Sequence, residues 1–287
     1  MNNYGQPDMT NGFVTGGSSP AIAAFKKTAR SPLFLLAVAL LAISIIFSLV
    51  GSFSSEVPDS ISSTVREFIG KNSETLKMDS SDLRELDEIL NHVGPIYKWT
   101  SVSGNVPSIL LFVALLLVVV SAGTRSDRPL STAGLTILKV FAIIELVLSI
   151  IMTVALTAVL GVSAFMMIKE GDEIKGVGII FAVLTVVVLI VCIFCVIFFA
   201  KKLKTISTAK KTVVTGIASD KVSGFVGVVA FILGALSVIG SISLMINTSA
   251  TAGLASLLSG AANILFALTL FSYRTAMREV MENRSAG

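Results

Sequence analysis

The sequence predicts an all-α integral membrane protein: a six-transmembrane-helix bundle with a small extracytoplasmic helical hairpin between the first and second spans. Three observations predict it. The chain is 54% hydrophobic and only 14% charged, with a mean hydropathy of +0.88, whereas a water-soluble domain is about 45–50% apolar even with glycine counted. Its apolar residues gather into six runs, each near the roughly 20 residues that a helix needs to cross a hydrocarbon core of about 30 Å. The run Val177–Ala200 stops at Lys201, Lys202 and Lys204. Lysines at a span's end stay on the cytoplasmic side, so this helix has a direction and the other spans alternate from it.

Taken in order, residues 1–31 are rich in Gly, Asn and Ser and end in Lys26, Lys27 and Arg30, which predicts a disordered cytoplasmic tail. The first span, 32–53, begins at Ser31-Pro32, a cap followed by a proline where no N–H is needed. It is longer than a signal-peptide core and lacks a good cleavage site, so it reads as a retained anchor. Residues 54–106 form the one sizeable segment outside the bilayer. There Ile61, Val65, Phe68 and Ile69, then Leu83, Leu86, Ile89, Leu90 and Val93, fall on helical faces, predicting two short amphipathic helices. Tyr97 and Trp99 follow at headgroup level, and His92 stands alone near the end of the second helix.

The second span is 107–123. The third is 135–160, with a helix that continues to 168 or tilts, since Leu135–Ile168 exceeds one bilayer thickness. A charged turn, Lys169 to Glu173, leads into the fourth span, 176–200. Residues 201–222 read as a basic cytoplasmic loop lying on the inner leaflet, with Lys201, Lys202, Lys204, Lys210 and Lys211 facing anionic lipid. The fifth span, 223–246, and the sixth, 252–273, form a hairpin, and 274–287 is a cytoplasmic tail carrying Arg274, Arg278 and Arg284. Of 22 Lys and Arg, only seven (Arg66, Lys71, Lys77, Arg84, Lys98, Lys169, Lys175) fall outside, leaving fifteen inside or at inner helix ends. That asymmetry predicts a plasma-membrane protein with both termini cytoplasmic, and it accounts for the net charge of +4 without a nucleic-acid partner.

Within the spans, polar residues are the candidate sites. Glu145, about ten residues into the third span, is an acid at bilayer depth, which costs roughly 3 kcal/mol on insertion scales. It heads a ladder, Glu145, Ser149, Thr153, Thr157 and Gly161, that recurs every fourth residue and so follows one slowly rotating helix face. Two readings stay open. The ladder lines an ion, proton or substrate path with Glu145 titrating, or Glu145 is protonated or paired with Asn263 or a hydroxyl in a packed seam. Lys139, on a different face, reads as snorkelling to headgroups. Asn263 lies mid-way along the sixth span. Splitting the spans three and three would make it the counterpart of Glu145 in an inverted repeat, though the halves share no sequence similarity.

The fifth span carries Ser223 and Gly227, Ala230 and Gly234, Ser237 and Ser241, pairs four apart that repeat after seven. Such a face lets another backbone approach closely, either Ala252, Ser256, Gly260 and Ala267 of the sixth span or a second protomer. Cys192-Ile193-Phe194-Cys195 resembles the membrane-embedded Cys-x-x-C of the vitamin K epoxide reductase and disulfide-bond oxidoreductase families. The resemblance implies quinone-linked thiol chemistry fed by outer-loop cysteines. This chain has no further cysteine, and its pair lies near a helix C-terminus, which does not lower a thiol pKa, so two inert buried thiols are expected. Zinc-protease, nucleophile-elbow and P-loop motifs are absent, and nothing in the pattern asks for a metal or cofactor. The expectation is a non-enzymatic membrane component or accessory subunit, with a membrane-protein partner or a homo-oligomer; the alternative is a small secondary transporter or channel using Glu145.

Overall fold

The structure is a computed structural model that describes residues 19–54, 103–123, 130–169, 172–219, 221–247 and 249–285. Among these residues the chain is all helical, without a strand: α1 (Pro20–Ala29), α2 (Pro32–Ser54), α3 (Val106–Gly123), α4 (Ala133–Lys169), α5 (Asp172–Thr215), α6 (Gly224–Asn247) and α7 (Ala250–Ser285). All but α1 are long and apolar enough to cross a membrane by length and composition. The predicted hairpin between the first two spans lies outside the described residues, except for its outer edges at Ser54 and 103–106.

The chain divides into two compact units, Met1–Phe34 with Ala114–Val229 and Leu268–Gly287, and Leu35–Val113 with Ala230–Ala267. In the first unit, α1 corrects the expectation of a disordered tail for residues 20–29; residues 1–18 of that tail lie outside the described residues. Ser19 caps it, accepting from the Ile22 N–H at 3.2 Å, and Pro20 takes the first turn. Ala21, Phe25 and Ala29, four apart, are buried on one face, and the Phe25 ring meets Tyr273 edge-on with centroids 6.0 Å apart. A ten-residue helix is marginal in water, so docking of this face is what forms it.

The surface that receives α1 comes from residues distant in sequence. Val118 and Ala122 of α3, Leu135 of α4, Ala209 and Val213 of α5, and Tyr273 and Met277 of α7 bury together with it. This explains two differences from the sequence reading. The stretch expected as a basic loop, 201–222, is helical through Thr215, because Ala209, Thr212 and Val213 continue the α5 ridge into this core. Likewise the apolar residues at the start of α4, assigned from hydropathy to a span, are used for packing: Gly134 and Leu135 are buried, with the Gly134 backbone against the Ala114 carbonyl and Val118. Gly216 ends α5 at φ 68, its N–H donating to the Thr212 carbonyl at 2.9 Å, the left-handed position that glycine fills without strain.

α4 and α5 form an antiparallel hairpin whose register two contacts fix. A Cβ added at Gly178 would lie 2.7 Å from Ile168 Cγ1, and Glu145 faces Lys202, so the apolar stretch 177–200 runs alongside about 146–169. The most apolar 18-residue stretches of α4 and α5 hold no buried residue, against 33% in α2 and 28% in α3, α6 and α7. Apart from their mutual seam, these most apolar stretches present largely bare aliphatic surface, which suits lipid.

In the second unit, segments of α2, α6 and α7 pack through small residues. The Ser44 hydroxyl, buried, donates to the Ala255 carbonyl at 2.8 Å, and Gly51 sits against Thr251. Gly234 of α6 and Gly260 of α7 face each other so closely that a Cβ on either would lie 2.7–2.8 Å from the other's carbonyl oxygen.

Two outcomes follow from this packing. Gly260→Ala lowers stability in detergent by about 1–3 kcal/mol, because the clashing atom is backbone and cannot rotate away. Gly240→Ala, with nothing within 4 Å of the added Cβ, leaves the unfolding temperature unchanged or slightly raised; thermal unfolding of both variants makes the comparison. Separately, Phe25→Ala undocks α1, so trypsin cuts at Lys26, Lys27 or Arg30 in the folded variant far faster than in the parent, as peptide mapping reads directly.

Candidate functional site

The strongest polar feature among the described residues is the junction of α4 and α5. Lys202 Nζ donates to both carboxylate oxygens of Glu145, at 2.9 and 2.7 Å, with side chains 27% and 25% exposed. Lys202 also lies 5.9 Å from the Phe199 ring centroid, and the neighbouring Lys201 lies 4.7 Å from that of Phe225. The lysine thus spans from the edge of the α5 apolar run, beside the Phe199 ring, to the carboxylate of the partner helix, which pairs its charge. The sequence reading placed Glu145 near midplane by counting from the start of the third span. The register instead sets it level with Lys202, at the basic edge of that run, while the start of α4 packs through Leu135 and Leu138 in the core that receives α1.

The ladder below Glu145 lies in the same seam. Ser149, Thr153, Thr157 and Gly161 are half-buried, while Leu148, Ile151, Met152 and Val154 between them are exposed. Thr153 Oγ1 donates to the Ser149 carbonyl at 2.7 Å, and across the seam Thr185 Oγ1 donates to the Phe181 carbonyl at 2.7 Å, so these hydroxyls are satisfied by their own helices. Thr157 Oγ1 is buried without a partner. Chemically the arrangement joins two helices with one ion pair and a run of small side chains, of which Thr153 and Thr185 bond their own helices.

Asn263 is exposed on α7 and belongs to the second unit. The small-residue face of α6 is brought onto α7: Gly227 against the Phe271 ring, Gly234 against Gly260, and Ser237 Oγ donating to the Ser256 carbonyl at 3.1 Å with the two hydroxyls 3.2 Å apart. Ser241 is fully buried and donates to the Val238 carbonyl, the Ser223 N–H donates to Thr205 Oγ1, and Ala230 is half-buried. Of the lysines expected at lipid headgroups, Lys201, Lys204 and Lys211 are exposed, Lys210 is half-buried, and Lys202 turns to Glu145. Cys192 is half-buried, but Cys195 is exposed, which differs from the expectation of two buried thiols; both are free, and their three-residue offset turns Cys195 out of the seam.

What sequence reasoning missed is Lys202 as the partner of Glu145, since it assigned this lysine to anionic lipid. A faint signal existed, since folding the chain back at Lys169–Glu173 brings the region after Ala200 alongside the start of the α4 apolar run. Without the packing at Gly178, however, the register is open by more than a helical turn.

Six helices, among the described residues, that are long and apolar enough to cross a membrane define the class as a helical membrane protein. Beyond that class, the chain matches no known protein family, no curated protein and no solved structure.

The ion pair makes a measurable prediction. Glu145→Gln and Lys202→Met each destabilise by about 1.5–3 kcal/mol, because each strands a charged or polar partner in an apolar seam. The double variant loses less than the sum of the two, and a double-mutant cycle on thermal unfolding gives the coupling.

Proposed function

We propose that the protein is a non-enzymatic, multi-pass component of the plasma membrane, acting as an accessory or assembly subunit. In this reading the six apolar helices all span, the basic edge and both termini are cytoplasmic, and the segment 54–106 is a small helical hairpin outside. The observation that carries it is where Glu145 ends up. A carboxylate with both oxygens held by Lys202, above a ladder in which Thr153 bonds its own backbone and Thr157 has no partner, ties two helices together rather than offering a hydrated relay to a moving ion. The bias of basic residues supports the orientation, and the bare aliphatic faces of α4 and α5 support lipid or partner contact. Exposed Lys201, Lys204 and Lys211 along the continuation of α5 supply charge for anionic inner-leaflet lipid.

Flux assays test this. Vesicles holding the purified protein conduct protons, sodium, potassium and chloride no faster than protein-free vesicles, and Glu145→Gln changes nothing. Flux that disappears in Glu145→Gln overturns the reading in favour of a transporter or channel. In intact cells a membrane-impermeant lysine reagent labels the 54–106 segment and spares Lys204 and Lys211; the opposite pattern inverts the topology.

A further inference from the structure

Asn263 is the one strongly polar side chain that the α7 span leaves bare. It lies eleven residues before Arg274, about 16 Å of helix, and is therefore deep in the apolar stretch. It is exposed, and its amide has no hydrogen-bond partner among the described residues. One turn before it, the half-buried Ser259 likewise has none. Nearby polar groups in the same unit behave differently: Ser44 bonds the Ala255 carbonyl, Ser237 bonds Ser256, and Ser241 bonds the Val238 carbonyl. Ser259 and Asn263, one turn apart, lie on the same face of α7.

The chemistry of an amide indicates what covers that face. In hydrocarbon, Asn263 forfeits the hydrogen bonds that water gave it in the unfolded chain, and lipid tails return none. Headgroups are out of reach at that depth. An asparagine carries one acceptor oxygen and two donor hydrogens, so its own copy is its complement. Across a two-fold axis, each Nδ2–H donates to the other's Oδ1, and a residue as small as Ser259 one turn away allows the two backbones to approach. We propose that two copies of this chain associate through α7, with Asn263 bonded to Asn263 at the centre of the contact. The inference does not rest on the accessory-subunit reading.

The test uses the full chain, labelled separately with donor and acceptor fluorophores and mixed in phosphatidylcholine vesicles over a range of protein-to-lipid ratios. Energy transfer shows association, weakened about tenfold by Asn263→Leu and retained by Asn263→Gln. Leu254→Ala, 36% exposed on another face of α7, leaves it unchanged. A second readout covers the case in which Asn263→Leu misfolds: Asn263→Cys, in a chain also carrying Cys192→Ser and Cys195→Ser, oxidises to a disulfide-linked dimer. Absence of transfer in the parent, equal transfer in Asn263→Leu, oxidation that yields only monomer, or capture of a different membrane protein by a cross-linker at position 263 each overturns the proposal.

Discussion

Lipid offers a protein no hydrogen bonds and no reason for one apolar helix to prefer another over a fatty chain, and that constraint bears on the contacts between the long apolar helices. Helices must then be held by close backbone approach and by polar groups that find partners inside the protein. Both devices are present. Gly234 and Gly260 let α6 and α7 meet at carbonyl distance, and Ser237, Ser256 and Ser44 bond across or between helices where aliphatic packing alone would give no specificity.

Glu145 and Lys202 apply the same rule to charge. A carboxylate at the edge of hydrocarbon is costly unless met, and an ammonium on a long stem can reach it while keeping its own end of the seam polar. Because the two residues are 57 positions apart, their meeting also fixes how far α4 has slid along α5. That slide decides which part of α4 belongs to the lipid-facing hairpin and which part packs under α1. The pair is thus a register device, and its geometry sets Glu145 level with Lys202 at the basic edge of the α5 apolar run.

The core that receives α1 has a different origin. Its members, among them Ala21, Phe25, Ala122, Leu135, Ala209 and Met277, are drawn from five helices and set beside a lysine-rich surface. No single contributing segment looks like core by itself. The α5 extension after Ala200 carries so many lysines that its apolar positions are outvoted in any hydropathy window. The α1 face is three residues long, two of them alanine.

Composition and the length of each apolar run determined by themselves that the chain is helical and suited to membrane, how many long apolar helices it has, and that small residues on the fifth and sixth apolar runs could support close approach. These are properties of one segment at a time, and burial in lipid leaves its mark on every residue of a segment. What only the tertiary structure decided was pairing: Glu145 with Lys202, α1 with Tyr273 and Met277, the continuation of α5 to Thr215, and the exposure of Asn263 and Cys195. Each depends on the axial slide and rotation of one helix against another, and a hydropathy pattern carries no information on either, since any register buries a uniformly apolar helix equally well.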